Sequence, residues 1–326
     1  MAPLLSVKNL RTCFYRSDGV VKAVDGISYS VDRGETLGIV GESGSGKSVS
    51  ALSLLKLLRK NGRVEEGEAV FNSRDLFTLS KEDLRDVRGK EISLIFQDSM
   101  TSLNPTFRIG AQLMEPLLWH KLMNHPQSKQ RVLQLLQRVG ISEPTSRLRD
   151  FPFQFSGGMR QRVMIAMALT CNPKLIIADE PTTALDVTVR SQILNLLQSM
   201  KDELAMSIIL ITHDFSMASN FCDKVMVMYA GKIMESAPTM EFLSHCCHPY
   251  SQGLLQSTLD IDAVDSTLHP IPGTPPSLIN PPPGCRFHPR CNRRLPVCFV
   301  ETPPYLEIAP NHWVACHLTK GGITHA

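Results

Sequence analysis

Eight consecutive residues, Gly41-Glu42-Ser43-Gly44-Ser45-Gly46-Lys47-Ser48, set three glycines, a lysine and a terminal hydroxyl in an order suited to phosphate chemistry. The glycines let successive backbone N–H groups turn inward around a polyphosphate, and the amino terminus of a following helix favours negative charge. Gly41, Ser43, Gly44 and Gly46 are assigned to this cradle. Lys47 reaches toward the β and γ phosphates, and Ser48 offers its hydroxyl to magnesium. An incidental glycine-rich turn would explain the loop but not its flanks. The apolar run at residues 37–40 and the helix-like stretch at 49–58 supply the strand and helix that such a loop needs. The predicted ligand is a nucleoside triphosphate with magnesium.

A second set lies far along the chain. Leu175-Ile176-Ile177-Ala178-Asp179-Glu180 reads as an apolar strand ending in two carboxylates, and strand ends of a parallel sheet are where ligands bind. Side chains alternate along a strand, so the two acids do different work. Asp179 is assigned to the magnesium shell and Glu180 to the attacking water, by analogy with other nucleotide hydrolases. A third element, Phe155-Ser156-Gly157-Gly158-Met159-Arg160-Gln161, opens a helical stretch at 162–169. Cys285, Cys291, Cys298 and Cys316 form a fourth; four thiolates satisfy either tetrahedral zinc or an iron–sulfur cluster, and the paired Cys-x-x-Cys of zinc ribbons is missing. Four unrelated thiols are the competing explanation. His245-Cys246-Cys247-His248 is set aside as a metal site, because adjacent cysteines rarely face one ion without strain.

The elements that must position these residues follow from patterning. Residues 4–40 alternate β-branched runs with the turns Ser17-Asp18-Gly19 and Asp32-Arg33-Gly34, which predicts strands joined by hairpins. From about 98 to 155 the pattern is helical: Val132, Leu133, Leu135, Leu136 and Val139 share a face, and Gly140 supplies a stop. From 162 to 228 amphipathic helices alternate with buried-strand runs at 175–178 and 208–211, as in a layered α/β core. Prolines at 270, 272, 275, 276, 281, 282 and 283 exclude helix or central strand there and predict an extended linker. The mixed charges of 81–91 read as a solvated helix face. Cys13, Cys171 and Cys222 read as small hydrophobes, and Met159, Met164, Met167, Met226 and Met228 as core or interface filling.

The 326 residues, 43% hydrophobic and 20% charged, suffice for one full core and an appendage. A net charge of +3 gives no basic footprint for nucleic acid. No run approaches the roughly 20 apolar residues that span a bilayer, and residues 1–7 show no export signal, so a cytoplasmic chain is expected. Nine cysteines then point to free thiols or a metal centre rather than a disulfide framework.

The ordered set resembles the ATP-binding cassette (ABC) family over residues 4–249. Ser156-Gly157-Gly158 is similar to the family's signature turn, which the resemblance implies meets the γ phosphate held by a partner subunit; Met159 stands where many members have glutamine. Gln97 matches the glutamine that senses magnesium and reports nucleotide state to the membrane subunits. Ala184-Leu185-Asp186 matches the subunit-contact loop, His213 the histidine that touches the γ phosphate, and Phe14, or its neighbour Tyr15, the aromatic that stacks on adenine. The fold so implied is α/β: a P-loop NTPase cassette with a RecA-like core, an antiparallel β-subdomain and a helical subdomain at about 98–158, all within 1–257. A Pro- and Cys-rich extension follows at 258–326.

Within the family, Phe96-Gln97-Asp98-Ser99-Met100-Thr101-Ser102-Leu103-Asn104-Pro105, the run-on of the signature into 162–168, and His248-Pro249-Tyr250 resemble the ATPases of dipeptide and oligopeptide importers. Ser99 replaces the usual proline, which alters loop stiffness. Nickel importers share much of the pattern but commonly lack the long tail. Cassette ATPases of DNA repair or translation carry inserts or a second cassette that this chain lacks. The resemblance implies ATP hydrolysis with magnesium, catalysis by Lys47, Gln97, Glu180 and His213, and a four-iron cluster on Cys285, Cys291, Cys298 and Cys316, with zinc as the alternative. It also implies a second, related ATPase subunit, two membrane-spanning permease subunits, an extracytoplasmic peptide-binding protein upstream, and a peripheral place on the cytoplasmic face of the membrane.

Overall fold

The computed structural model describes residues 2–98, 102–182, 187–259 and 271–321. Ser99, Met100 and Thr101, the contact loop Ala184-Leu185-Asp186, and the first part of the extension at 260–270 lie outside the described residues. Two compact units emerge, one from Met1–Thr78 with Leu210–Ala326, the other from Leu79–Ile209. The expected helical region lies in the second, the C-terminal extension in the first.

The first unit opens with an antiparallel ribbon. β1 (Leu5–Arg16) and β2 (Gly19–Val31) turn at Ser17-Asp18, with Arg16 opposite Gly19, and β4 (Gly62–Phe71) and β5 (Arg74–Asp75) complete a four-stranded sheet in the order β2-β1-β4-β5. The second turn signal, Asp32-Arg33-Gly34, does not make a hairpin as expected. β3 (Thr36–Val40) leaves this sheet and pairs in parallel with β9, introduced below. The reason is visible in its composition: all five β3 residues are buried, whereas a strand with one solvated face alternates. The phosphate loop then feeds α1 (Lys47–Leu54), which begins two residues earlier and ends four earlier than the pattern suggested, with Lys56 left-handed just beyond it.

The second unit contains α2 (Lys81–Val87), shorter than the charged run implied, then β6 (Ile92–Ile95), α3 (Ile109–Trp119), α4 (His125–Arg138), a single turn α5 (Pro144–Arg147), α6 (Gly157–Ala168), β7 (Leu175–Asp179) and α7 (Val187–Leu204). Asn124 and Gln127 form a reciprocal capping box at the start of α4, and Gly140, at φ 75°, stops the chain after it. Val132, Leu135 and Leu136 are its buried face. β6 and β7 pair in parallel, Ile92 with Leu175 through Ile95 with Ala178.

The chain returns to the first unit within β8 (Ser207–Thr212), followed by α8 (Phe215–Phe221), β9 (Lys224–Tyr229), β10 (Lys232–Pro238), α9 (Thr239–His245) and α10 (Pro249–Leu259). Residues 271–283 are neither helix nor strand, as their prolines require. The tail beyond them holds a hairpin that its polar composition concealed. β11 (Leu306–Ala309) and β12 (His312–Val314) turn at Pro310-Asn311, and β12 adds antiparallel to β10 through Glu235 opposite Val314. The tail thus extends the sheet β12-β10-β9-β3 instead of standing apart from it.

One buried carboxylate fastens this addition. Glu235 accepts the backbone N–H groups of Cys247 at 2.8 Å and His248 at 2.9 Å, and pairs with His312 Nε2 at 2.8 Å. Burial raises its pKa, but the hydrogen bonds from His312, Cys247 and His248 outweigh that and hold it below the usual value. His248, fully buried, caps α10 by accepting the Tyr250 N–H on Nδ1 at 3.0 Å. Burial lowers its pKa to about 4 against the opposing charge of Glu235.

The unfolded chain protonates His248 below about pH 6.5, whereas the folded chain resists until about pH 4. His248 therefore contributes stability above pH 6.5 that is lost as the pH falls toward 4. In His248→Asn, which keeps an acceptor for the Tyr250 N–H and removes the proton site, about 2 kcal/mol of the stability lost between roughly pH 7 and 5 should disappear. Urea midpoints at both pH values measure it; equal losses in the two proteins would assign the effect to another group.

Candidate functional site

The first unit holds the phosphate loop. Gly41 has φ 155° and a Cβ there would sit 2.1 Å from the Met228 carbonyl oxygen on β9; Gly46, at φ 103°, would place one 2.3 Å from the Ala23 carbonyl oxygen on β2. Neither position accepts another residue without moving a strand. Lys47 is buried, and its ammonium donates to the carbonyl oxygens of Gly41 at 2.7 Å and Glu42 at 3.0 Å, at the mouth of the loop. Ser48 is half-buried and Ser43 exposed. This backbone cradle, with a cation curled over it and a hydroxyl beside it, is a donor set that fits a magnesium-bound triphosphate.

His213 is also in this unit, exposed in the turn between β8 and α8. The turn is fixed by Asp214, whose N–H donates to Thr212 Oγ1 at 3.0 Å and whose carboxylate accepts the Met217 N–H at 3.1 Å. Phe14 and Tyr15 leave β1 on opposite faces. The Phe14 ring lies over Gly62, where a Cβ would meet it at 2.6 Å. The Tyr15 hydroxyl donates to Glu65 at 2.9 Å, with the Arg63 guanidinium 5.7 Å from its ring.

Gln97, Asp179 and Glu180 belong to the second unit. Asp179 ends β7 and is buried; Glu180 follows at φ 47°, a left-handed backbone rare for a non-glycine residue. The Gln97 side-chain amide, two residues beyond β6, donates to Glu180 Oε2 at 2.9 Å. The parallel register of β6 and β7 brings together two residues 83 positions apart. The strain at Glu180, of order 1–3 kcal/mol, is of the kind stored at functional sites; nothing in the sequence signalled it. Ser156 caps α6 by accepting the Met159 N–H at 3.3 Å, and Ser156 and Gly157 are exposed. Arg160 donates to Phe155 O at 2.7 Å and braces the turn. Met159 is half-buried. Asp186 lies outside the described residues.

The four tail cysteines are all buried in the first unit. The Leu295 N–H donates to Cys298 Sγ at 3.4 Å, and nearby backbone N–H groups at Phe287, Arg293 and Leu318 offset part of the effect of burial on the Cys285, Cys291 and Cys316 thiols. Burial pushes the Cys285 thiol up to about 11 and Cys316 up to about 12, each raised further by the charges of the other tail cysteines. Among the described residues the trio with ligand atoms within 4.8 Å of one another is Glu235, Cys247 and His312. No three tail sulfurs come that close, whereas one tetrahedral zinc at about 2.3 Å from each sulfur needs them about 3.8 Å apart. Cys246 Sγ donates to Glu235 at 3.6 Å, and Cys247 Sγ to the His245 carbonyl oxygen at 3.1 Å.

Sequence reasoning passed over Glu42 and Arg290. Arg290, in the tail turn just before Cys291, makes a forked ion pair to Glu42 of the phosphate loop at 2.6 and 3.0 Å. The two are 248 positions apart, and no local pattern connects them.

Residues 24–183 match the family described as ABC transporter, and residues 234–298 match the family described as oligopeptide/dipeptide transporter, C-terminal region. The oligopeptide transport ATP-binding protein OppD of Escherichia coli is 50% identical over 96% of this chain and 92% of its own length. The dipeptide transport ATP-binding protein DppD of Bacillus subtilis is 46% identical over 100% of this chain and 98% of its own. Among solved structures, the ATP-binding cassette MJ0796 in a dimeric post-hydrolysis state with ADP and Pi superposes with a TM-score of 0.65 at 27% identity, over 72% of this chain and 98% of that one.

Gly41→Ala and Gly46→Ala, which drive a methyl group into a strand carbonyl, should each cost about 3 kcal/mol or more. Gly44→Ala, also left-handed but with nothing within 4 Å of the new Cβ, should cost about 1 kcal/mol. Urea unfolding of the three proteins measures the difference, and comparable losses at 44 and 46 would mean that the Ala23 carbonyl is not what shapes the loop.

Proposed function

The chain belongs to the ABC transporter ATP-binding family, in its oligopeptide and dipeptide branch, and from that premise we propose that it hydrolyses ATP to energise peptide import across a membrane. The observation that carries this reading is the phosphate loop, with Gly41 and Gly46 pressed against strand carbonyls and Lys47 buried at its mouth. Within the first unit, the loop N–H groups of Gly41, Ser43, Gly44 and Gly46 bind the phosphates, Lys47 pairs with their charge, Ser48 offers a magnesium ligand, His213 meets the γ phosphate and Phe14 stacks on adenine. Phe14 is preferred because the Arg63 guanidinium already lies over the Tyr15 ring. Within the second unit, Asp179 and Gln97 serve magnesium, and Glu180, aimed by the Gln97 amide, takes the proton of the attacking water. Magnesium, when bound, neutralises charge on the β and γ phosphates.

Ser156 and Gly157, exposed at the start of α6, and Gly158, half-buried beside them, suit contact with nucleotide held by a second cassette, and Asp186 falls in the loop expected to meet that subunit. The reading therefore includes a second, related ATPase subunit and two permease subunits, fed by an extracytoplasmic binding protein. No helix among the described residues is long and apolar enough to cross a membrane, so attachment runs through the permeases, on the cytoplasmic face. Phe107, Leu118 and Trp119, 57%, 38% and 66% exposed, line one groove of the helical region with Met114 and give it the apolar surface that a partner helix seeks. The division into a cassette at 1–257 and an extension at 258–326 belongs to the same reading.

For the tail we propose a four-iron cluster on Cys285, Cys291, Cys298 and Cys316. The burial of all four and the fact that no three of their sulfurs lie within 4.8 Å of one another, wider than one zinc ion takes, support it. Protein purified anaerobically should absorb broadly in the visible and lose that absorbance in Cys291→Ser. A colourless protein with stoichiometric zinc would reject iron.

Glu180→Gln should bind ATP within about threefold of wild type and hydrolyse it at least about 100-fold more slowly, with the nucleotide-bound dimer accumulating. Phosphate release by the assembled transporter measures it. An unchanged rate would remove Glu180 from the reaction.

A further inference from the structure

Residues 285–291 pack against the base of the phosphate loop. Phe287 meets Tyr229 edge-on at 5.3 Å and Tyr250 at 5.2 Å, and those two rings lie 4.6 Å apart. The Tyr250 hydroxyl accepts the Glu42 N–H at 2.9 Å. Arg290 forks onto the Glu42 carboxylate, lies 5.7 Å over the Tyr229 ring, and donates to the carbonyl oxygens of Ile271 at 3.1 Å and Pro272 at 2.8 Å. Its side chain is 5% exposed. Four residues earlier, Arg286 pairs with Asp25 at 2.6 Å; the Asp25 N–H donates to Gly231 O, and the Gly231 N–H to Ser45 O. The two arginines of one turn thus act on the loop at residues 42 and 45.

Residue 42 is held three ways: its N–H by Tyr250, its carboxylate by Arg290, and its carbonyl by Lys47. A forked arginine–carboxylate pair fixes orientation as well as distance. Released from it, the 42 peptide gains rotational freedom that has to be lost again when phosphate binds, and lost freedom appears as weaker affinity. Lys47, whose ammonium donates to Gly41 O and to the Glu42 carbonyl, loses one of these anchors with it.

We propose that residues 285–291 clamp the phosphate loop, with Arg290 as the positioning residue, so that affinity for Mg-ATP depends on the seating of this tail turn. The proposal rests on the reading of the loop as an ATP site. Arg290 touches no reacting atom, and its effect falls on binding and not on the chemical step.

The test measures Kd for a fluorescent trinitrophenyl ATP analogue with magnesium on the full-length chain, and KM and kcat for ATP in the assembled transporter. Arg290→Gln and Glu42→Gln should each raise Kd and KM about tenfold and leave kcat within about twofold. The exchange Glu42→Arg with Arg290→Glu should return Kd to within about threefold of wild type. A folded Arg290→Gln with unchanged Kd, or an exchange as weak as the single variants, overturns the clamp. Should Arg290→Gln fail to fold, Arg290→Lys carries the test: it keeps the charge without the fork and should bind about threefold more weakly, and wild-type affinity there overturns the proposal. Lys47→Ala separates the two levels. If it binds the analogue as wild type does, the ATP-site reading fails; if it loses binding while Arg290→Gln keeps it, the clamp alone fails.

Discussion

The phosphate loop closes against two carbonyl oxygens, Met228 O behind Gly41 and Ala23 O behind Gly46, each closer than any Cβ would allow. That close approach ties the loop to β9 on one side and β2 on the other, so the parallel sheet and the antiparallel sheet of the first unit both have to be correctly placed before the N–H groups converge. β3 delivers the chain in parallel register with β9, Val40 opposite Val227, and Gly231 N–H to Ser45 O ties the far side of the loop to the β9–β10 turn. Glycine is therefore a packing requirement here as much as a conformational one.

Around this loop the first unit holds two buried carboxylates, Asp25 and Glu235, and one half-buried, Glu42, and each is matched. Asp25 takes Arg11, Lys232 and Arg286; Glu42 takes Arg290; Glu235 takes His312 with two backbone N–H groups. Burying such pairs gives little net stability, but removing one partner leaves an uncompensated charge, so they specify register more than they add free energy. In all three cases one partner lies in the tail beyond residue 283. A segment too polar and proline-rich to form its own apolar core is held through ion pairs, through the aromatic contact of Phe287 with Tyr229 and Tyr250, and through one added strand.

The second unit stores its specificity differently. Glu180 occupies a left-handed backbone, and the Gln97 amide fixes its carboxylate. Gln97 lies two residues beyond β6. The exposed Phe107 and Trp119 lie on that same stretch of chain, which runs from Gln97 into α3.

Local chemistry was legible from the residues alone. The strand–loop–helix around Lys47, the carboxylates ending the 175–179 run, the capped turn at Ser156 and the helix stopping at Gly140 each depend on spacing within a dozen residues, which the sequence displays directly. The departures came where pairing is set at long range. A turn at 32–34 announces a reversal but not which strand comes next, and only the full burial of β3 sends it to β9. The hairpin at 306–314 was hidden because its strands are only four and three residues long, and they are strands because β10 offers an edge. Arg290 carries no motif of its own; its partner lies 248 positions away. The sequence by itself determined where the groups suited to phosphate stand, because such a cradle needs particular residue types at short spacing. Tertiary structure decided what holds them still, because a buried carboxylate takes whichever cation the fold brings to it.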